Sequence, residues 1–135
     1  MKNKWTVIYY ETPDKQCPIE EFIDSRSKKN QAKLLAMISY LEELGPNLPR
    51  PYSDLLVDGI HELRIKLSGE QIRTLYFFCY QEFIVLTHSF AKNDSAVPEI
   101  QIKKAKAART DFLKRYNEKD LKVLINENIQ KTYRD

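Results

Sequence analysis

Three observations predict a small α+β domain of the order β-α-α-β-β-β-α-α, with its helices packed on one face of a mostly antiparallel sheet. Between Ile60 and Phe90, β-branched and aromatic runs are joined by connections short enough for an antiparallel meander. Upstream, Leu34, Met37, Ile38, Leu41 and Leu44 recur at helical spacing, the pattern of a helix that lays one apolar stripe on a sheet. Downstream, Pro98 opens an amphipathic stretch with Ile102, Ala105, Phe112, Leu113 and Tyr116 on one side. A chain of 135 residues, 42% apolar and 30% charged, suits one domain whose core needs neither disulfide nor metal.

The elements follow in order. Trp5 to Tyr10 is a β-branched and aromatic run, ended by ETPD, and reads as the first strand. Pro18 to about Ser27 reads as a short helix with proline near its first turn, and the Leu34–Leu44 helix stops at Gly45-Pro46. PNLPRPYSDLLVD, from Pro46 to Asp58, holds three prolines and reads as an ordered surface loop that delivers Arg50 and Tyr52 near the sheet. Three strands are expected at Ile60 to Leu67, Gln71 to Tyr80 and Phe83 to Phe90. A helix from Pro98 to about Tyr116 comes next, then a shorter one carrying Leu121, Leu124, Ile125 and Ile129. Residues 1–116 thus form the main domain and residues 117–135 its C-terminal helical extension.

No apolar run has signal-peptide length and none approaches the roughly 20 residues of a membrane span, so the chain reads as cytoplasmic with no membrane partner. Cys17 and Cys79 belong to no CxxC or Cys/His cluster and read as free thiols. The net charge is only +3, but Gly59 to Tyr116 holds ten Lys/Arg against six acids, so the excess is concentrated there.

Strand alternation sets Glu62, Arg64 and Lys66 on one face and Leu63, Ile65 and Leu67 on the other. Arg73 joins the cations if the hairpin pairs symmetrically about Ser68-Gly69. A half-solvated sheet can carry such cations paired with Glu62 or Glu70, for only about 0–1 kcal/mol. Tyr76, Phe77, Phe78 and Tyr80 interleave with them, however, and cations among aromatics suit RNA, whose backbone takes guanidinium contacts and whose bases take flat rings. For proton transfer the candidates are the two histidines, His61 and His88, with Lys66, Tyr76 and Tyr80 as alternatives. His61 shares parity with Leu63 and Ile65, and His88 with Ile84, Leu86 and Phe90, which marks both histidines as half-buried. Lys103, Lys104, Lys106 and Arg109 form either a solvated helix face or a docking face for RNA phosphates.

LLVDGIHELRIKLSGEQIRTLYFF, followed by IVLTHSFAKNDSAVPEIQIKKAKAARTDF, resembles the HigB-like, phage-derived branch of the RelE/ParE toxin superfamily. Asp58-Gly59 with Glu62-Leu63-Arg64, Arg73 with Tyr76, His88 with Phe90 and Lys92, and Pro98 with Glu99-Ile100 stand in the order of that branch's motifs. The likeness runs from about Trp5 to Tyr116. One departure is Asn93, where a second basic residue usually follows Lys92.

The resemblance implies a RelE-like fold and the toxin of a type II toxin–antitoxin system. Such a protein is a metal-independent and cofactor-free endoribonuclease that cuts messenger RNA on the translating ribosome by 2′-hydroxyl attack on the adjacent phosphate. A cognate antitoxin, expected as a small helix-turn-helix protein, silences it. On this reading Arg64, Arg73 and Lys92 hold the phosphate, with His61, Lys66 and Tyr76 as further catalytic candidates. Arg64, Lys66, Arg73, Tyr80, Lys92, Lys103 and Lys104 form the RNA-binding set. Arg73→Ala is expected to fold normally and relieve growth arrest. The alternatives are a ParE-like inhibitor of DNA gyrase and a catalytically degenerate binding protein of the same fold.

Overall fold

β3 (Ile60–Leu67), β4 (Glu70–Cys79) and β5 (Phe83–Ala91) are apolar on both faces over much of their length, the pattern of strands covered from two sides. In the computed structural model, which describes residues 4–93 and 96–134 with side chains through residue 127, they are covered in that way. Leu63, Ile65, Leu67, Ile72, Tyr76, Ile84 and Leu86 pack with Ile19 and Ile23 of α1 (Pro18–Asp24) and Leu34, Ile38 and Leu41 of α2 (Lys28–Leu44). Ile60, Leu75, Phe77, Phe83 and Val85 pack on the opposite face with Ala105, Ala108 and Phe112 of α3 (Glu99–Arg115) and Leu121 of α4 (Glu118–Arg134). The expectation of helices on one face is therefore corrected: the helices before and after the strands take opposite faces, because the strands offer each of them an apolar surface.

A second correction concerns strand number. β1 (Thr6–Tyr9) pairs parallel to β5, and an additional β2 (Ser53–Val57) pairs antiparallel to β3, giving a five-stranded mixed sheet in the order β1-β5-β4-β3-β2. β2 lies in the segment read as a proline-rich loop. It escapes a propensity reading because it is a short edge strand with a register shift between Leu55 and Val57, both of which are exposed. Its signal was Asp58-Gly59. Both residues have positive φ, 50° and 79°, and two such residues between apolar runs close a tight hairpin.

The end of α2 is set by a close approach. A Cβ at Gly45 would lie 2.5 Å from Cδ1 of the Trp5 indole, so only glycine lets the chain turn there against β1. At the C-terminal end, Leu121 is buried and Ile125 half-buried, whereas Leu124 is exposed; the side chain of Ile129 lies outside the described residues. No described helix is long and apolar enough to cross a membrane.

β5 carries one irregularity that matters for the site. Leu75 faces His88 and Tyr76 faces Leu86, so Thr87 is an extra residue in the ladder, a β-bulge, and its hydroxyl donates to Leu75 O at 3.1 Å. Strand parity alone puts His88 and Phe90 with Ile84 and Leu86. The bulge moves them to the α3 face, opposite Leu75 and Arg73.

Candidate functional site

Three rows of side chains cross β3, β4 and β5 on the α3 face, starting at the border of the apolar half that α3 buries. They are Glu62–Leu75–His88, then Arg64–Arg73–Phe90, then Lys66–Gln71. Lys92 extends the last row, its N–H donating to Gln71 O at 2.8 Å. The symmetric pairing of Arg64 with Arg73 is thus present, and Arg64, Lys66, Arg73 and Lys92 share one face of three adjacent strands. Directly opposed residues sit about 4.5–5.5 Å apart at Cβ, so like charges in one row need compensation.

Glu62 provides it. It is 3% exposed, and its Oε1 accepts from Arg64 Nε at 2.9 Å while lying 2.9 Å from Arg73 Nε. Arg64 Nη2 also reaches Asp54 Oδ2 at 3.4 Å, and Asp54 Oδ1 accepts from Arg50 Nη2 at 2.9 Å. Arg50, with Arg64 beyond it, holds the Asp54 carboxyl below its usual range. Three guanidiniums thus alternate with two carboxylates. One carboxylate shared by Arg64 and Arg73 fixes their geometry without cancelling their charge, and Lys66 and Lys92 add to the excess.

The two arginines are not equivalent. Arg64 keeps 34% of its side chain exposed, whereas Arg73 is 8% exposed as a residue and also donates from Nη1 to Ile72 O at 3.2 Å. Arg73 is built into the sheet, so removing it strands the buried Glu62 on one partner. Burial therefore predicts that Arg73→Ala destabilises the fold, against the expectation drawn from sequence.

The remaining candidates divide by position. Lys66 is exposed on the cationic face. His61 and Tyr76 are on the opposite face, stacked on each other at 5.2 Å within the core that includes α2. Burial lowers the pKa of His61, against a smaller opposing pull from Asp54, and raises that of the Tyr76 phenol to about 12. Neither reaches the arginines, because both have the parity of Leu63 and Ile65. Tyr80 stands at the far end of β4, where its hydroxyl donates to Tyr116 O at 2.7 Å. His88 is on the cationic face but is 3% exposed, is bonded at Nδ1 to Thr87 and at Nε2 to Gln101, and is lowered by burial to about 4. Lys103 and Lys104 are exposed on α3, and Lys104 lies near enough to His88 to depress its pKa further. Lys106 and Arg109 instead hold the β2–β3 turn through Asp58, at 2.6 and 2.5 Å.

Sequence reasoning treated Glu62 as an ordinary surface partner. Its parity with both arginines was the available signal for its bridging position. Lys33 and Met37 of α2 went unremarked as neighbours of the site, yet they line a cavity of about 540 Å³ with Arg64, Lys66 and Arg73. Nothing in their sequence position marks them.

The fold and this face define a small α+β protein with a buried carboxylate locking cations onto an open half-sheet. The family model described as phage derived protein Gp49-like (DUF891) matches residues 21–110, more than half of the chain and every cation of the site just described. The chain belongs to that family, whose members are in general RelE/HigB-type toxins of toxin–antitoxin type, with an antitoxin as the general partner. No curated protein matches the chain.

Proposed function

We propose that this protein is a ribosome-dependent messenger RNA endoribonuclease of the HigB-like branch, neutralised by a cognate antitoxin. The observation that carries the reading is that Arg64, Lys66, Arg73 and Lys92 share one face of three adjacent strands, with the two arginines held on a single buried carboxylate. A gyrase binder has no need for cations that converge on one point. In the proposed reaction the ribose 2′-oxygen bonds to the adjacent phosphorus as the bond from phosphorus to the 5′-oxygen breaks. The 2′-hydroxyl gives up its proton and the departing 5′-oxygen gains one, leaving a cyclic phosphate and a 5′-hydroxyl.

Arg64 is the reachable guanidinium and takes the phosphate oxygens, whose charge grows toward the transition state. Arg73 acts from beneath, holding Glu62 and through it the Arg64 fork. Lys66 and Lys92 stand at the next row, where an ammonium can stabilise or protonate the leaving oxygen. Of the residues considered for proton transfer, this reading assigns Lys66 to the phosphate; His61, Tyr76, Tyr80 and the buried His88, bonded at both ring nitrogens, are not assigned to it. Messenger RNA and the ribosome are the proposed partners, with Lys103 and Lys104 as docking cations.

Primer extension on a translated reporter after brief induction tests the reading. Discrete cuts within codons are expected from wild type, and cutting reduced by about 10²–10³ from Arg64→Ala. Intact transcripts with blocked replication would replace it with gyrase inhibition.

A further inference from the structure

The cavity beside the cations opens where β3 outruns β2. Ser53, the first residue of β2, pairs with Leu63, and Arg64 N–H makes the last contact across this edge, 2.8 Å from Tyr52 O. Alternation along an antiparallel strand turns the N–H and C=O of Lys66 to the same edge, past the reach of β2. The volume, about 540 Å³, falls within the roughly 300–1,000 Å³ of small-ligand sites. Its lining combines Tyr52, Met37 and Ile65 with four cations, Lys33, Arg64, Lys66 and Arg73; among the described residues no carboxylate lines it, though Asp54 and Glu62 pair with the arginines behind it.

Tyr52 is 42% exposed and meets Tyr40 in a T-shaped contact, ring centroids 5.8 Å apart at 76°. Such a contact occupies at most one face of the Tyr52 ring while limiting its movement. A braced aromatic beside converging cations matches a ligand that is flat and apolar on one part and anionic on another. An acidic peptide would satisfy the cations but leave the ring unused.

We propose that this cavity is a nucleobase subsite of the RNA strand whose phosphate lies on Arg64. Tyr52 stacks on the base, Lys33 takes the neighbouring phosphate, and the Lys66 backbone offers one donor and one acceptor to the edge of the base. The proposal rests on the nuclease reading and adds to it a determinant of which nucleotide is held beside the cut.

The test uses a fluorescein-labelled RNA hexanucleotide carrying 2′-O-methyl ribose throughout, which lacks the attacking hydroxyl, and reads binding by anisotropy. Tyr52→Ala is expected to weaken binding by roughly 5- to 100-fold, the loss of one base–aromatic stack, while Tyr52→Phe stays within about twofold. An abasic site at one position should weaken wild type by a similar factor and leave Tyr52→Ala unchanged. Equal binding by wild type and Tyr52→Ala, indifference to abasic sites at every position, or no binding by wild type would each overturn the subsite. Transcript cutting is read separately. Cutting that ignores Tyr52→Ala removes the subsite and keeps the nuclease, whereas Tyr52-dependent binding without cutting removes the nuclease and keeps a nucleic-acid site.

Discussion

Two halves of the same sheet face are built from the same strands with opposite chemistry. Ile60, Phe77 and Val85 are each at most 1% exposed and lie under Ala105, Ala108 and Phe112, a dry contact between sheet and helix. Farther along the same strands, with the same parity, stand Arg64, Arg73 and Lys66, and among the described residues the arginine side chains pair with strand residues: Glu62, Asp54 and Ile72. The difference teaches that the position of α3 is set by where the apolar rows end. Guanidiniums left under a helix would lose hydration without regaining it, so the helix stops short and a charged surface remains.

The largest expected effect tests whether the charged half is also structural. Glu62→Ala leaves Arg73 buried without its counter-ion and should cost about 3–5 kcal/mol, as much as Phe112→Ala in the apolar half. Denaturant melts of the two variants compare the halves directly. Replacing Glu62, Arg64 and Arg73 together by apolar residues should recover that stability while abolishing growth arrest; failure to recover it would mean that the ions are needed for folding itself.

Arg64→Ala should separate the halves more sharply. Its pair with Asp54 is partly solvated and Glu62 keeps Arg73 beside it, so stability should fall by less than in Glu62→Ala, while cutting drops about 10²–10³. Equal growth arrest by Arg64→Ala and wild type would remove the catalytic assignment and leave the charged half as an ornate surface.

His88 sits where the halves meet, and its effect is on pH dependence. Burial holds the folded imidazole at about 4 against 6.5 when free, so as pH falls the unfolded chain takes up the proton first. The stability this contributes is complete above pH 6.5 and is lost as pH falls toward 4, on the order of 3 kcal/mol. His61, also lowered, tilts the curve the same way. Stability measured from pH 7 to pH 4 should flatten in His88→Asn; an unchanged slope would show that the ring takes up its proton over the same pH range folded and unfolded.

The smallest effect is at the far end of the apolar half. Tyr80→Phe removes only the hydrogen bond to Tyr116 O, for about 1 kcal/mol, and should leave RNA cutting at the wild-type rate. A clear loss of cutting would restore Tyr80 to the RNA-binding set.

Alternation and the Ser68-Gly69 turn determined that Arg64, Lys66 and Arg73 would share a face, because a side-chain period of two and a symmetric hairpin are local properties. The strands β3, β4 and β5 and the helices α1 to α3 were legible for the same reason, each from its own residues. Tertiary structure alone decided which face each helix took, how Thr87 moved His88 and Phe90 across the sheet, and how deeply Arg73 is sunk while Arg64 stays in reach. It also brought Lys33 and Met37 of one helix to the same cavity as the arginines of distant strands. Burial and convergence depend on what the rest of the chain lays over a residue, and no window of neighbouring sequence contains that information.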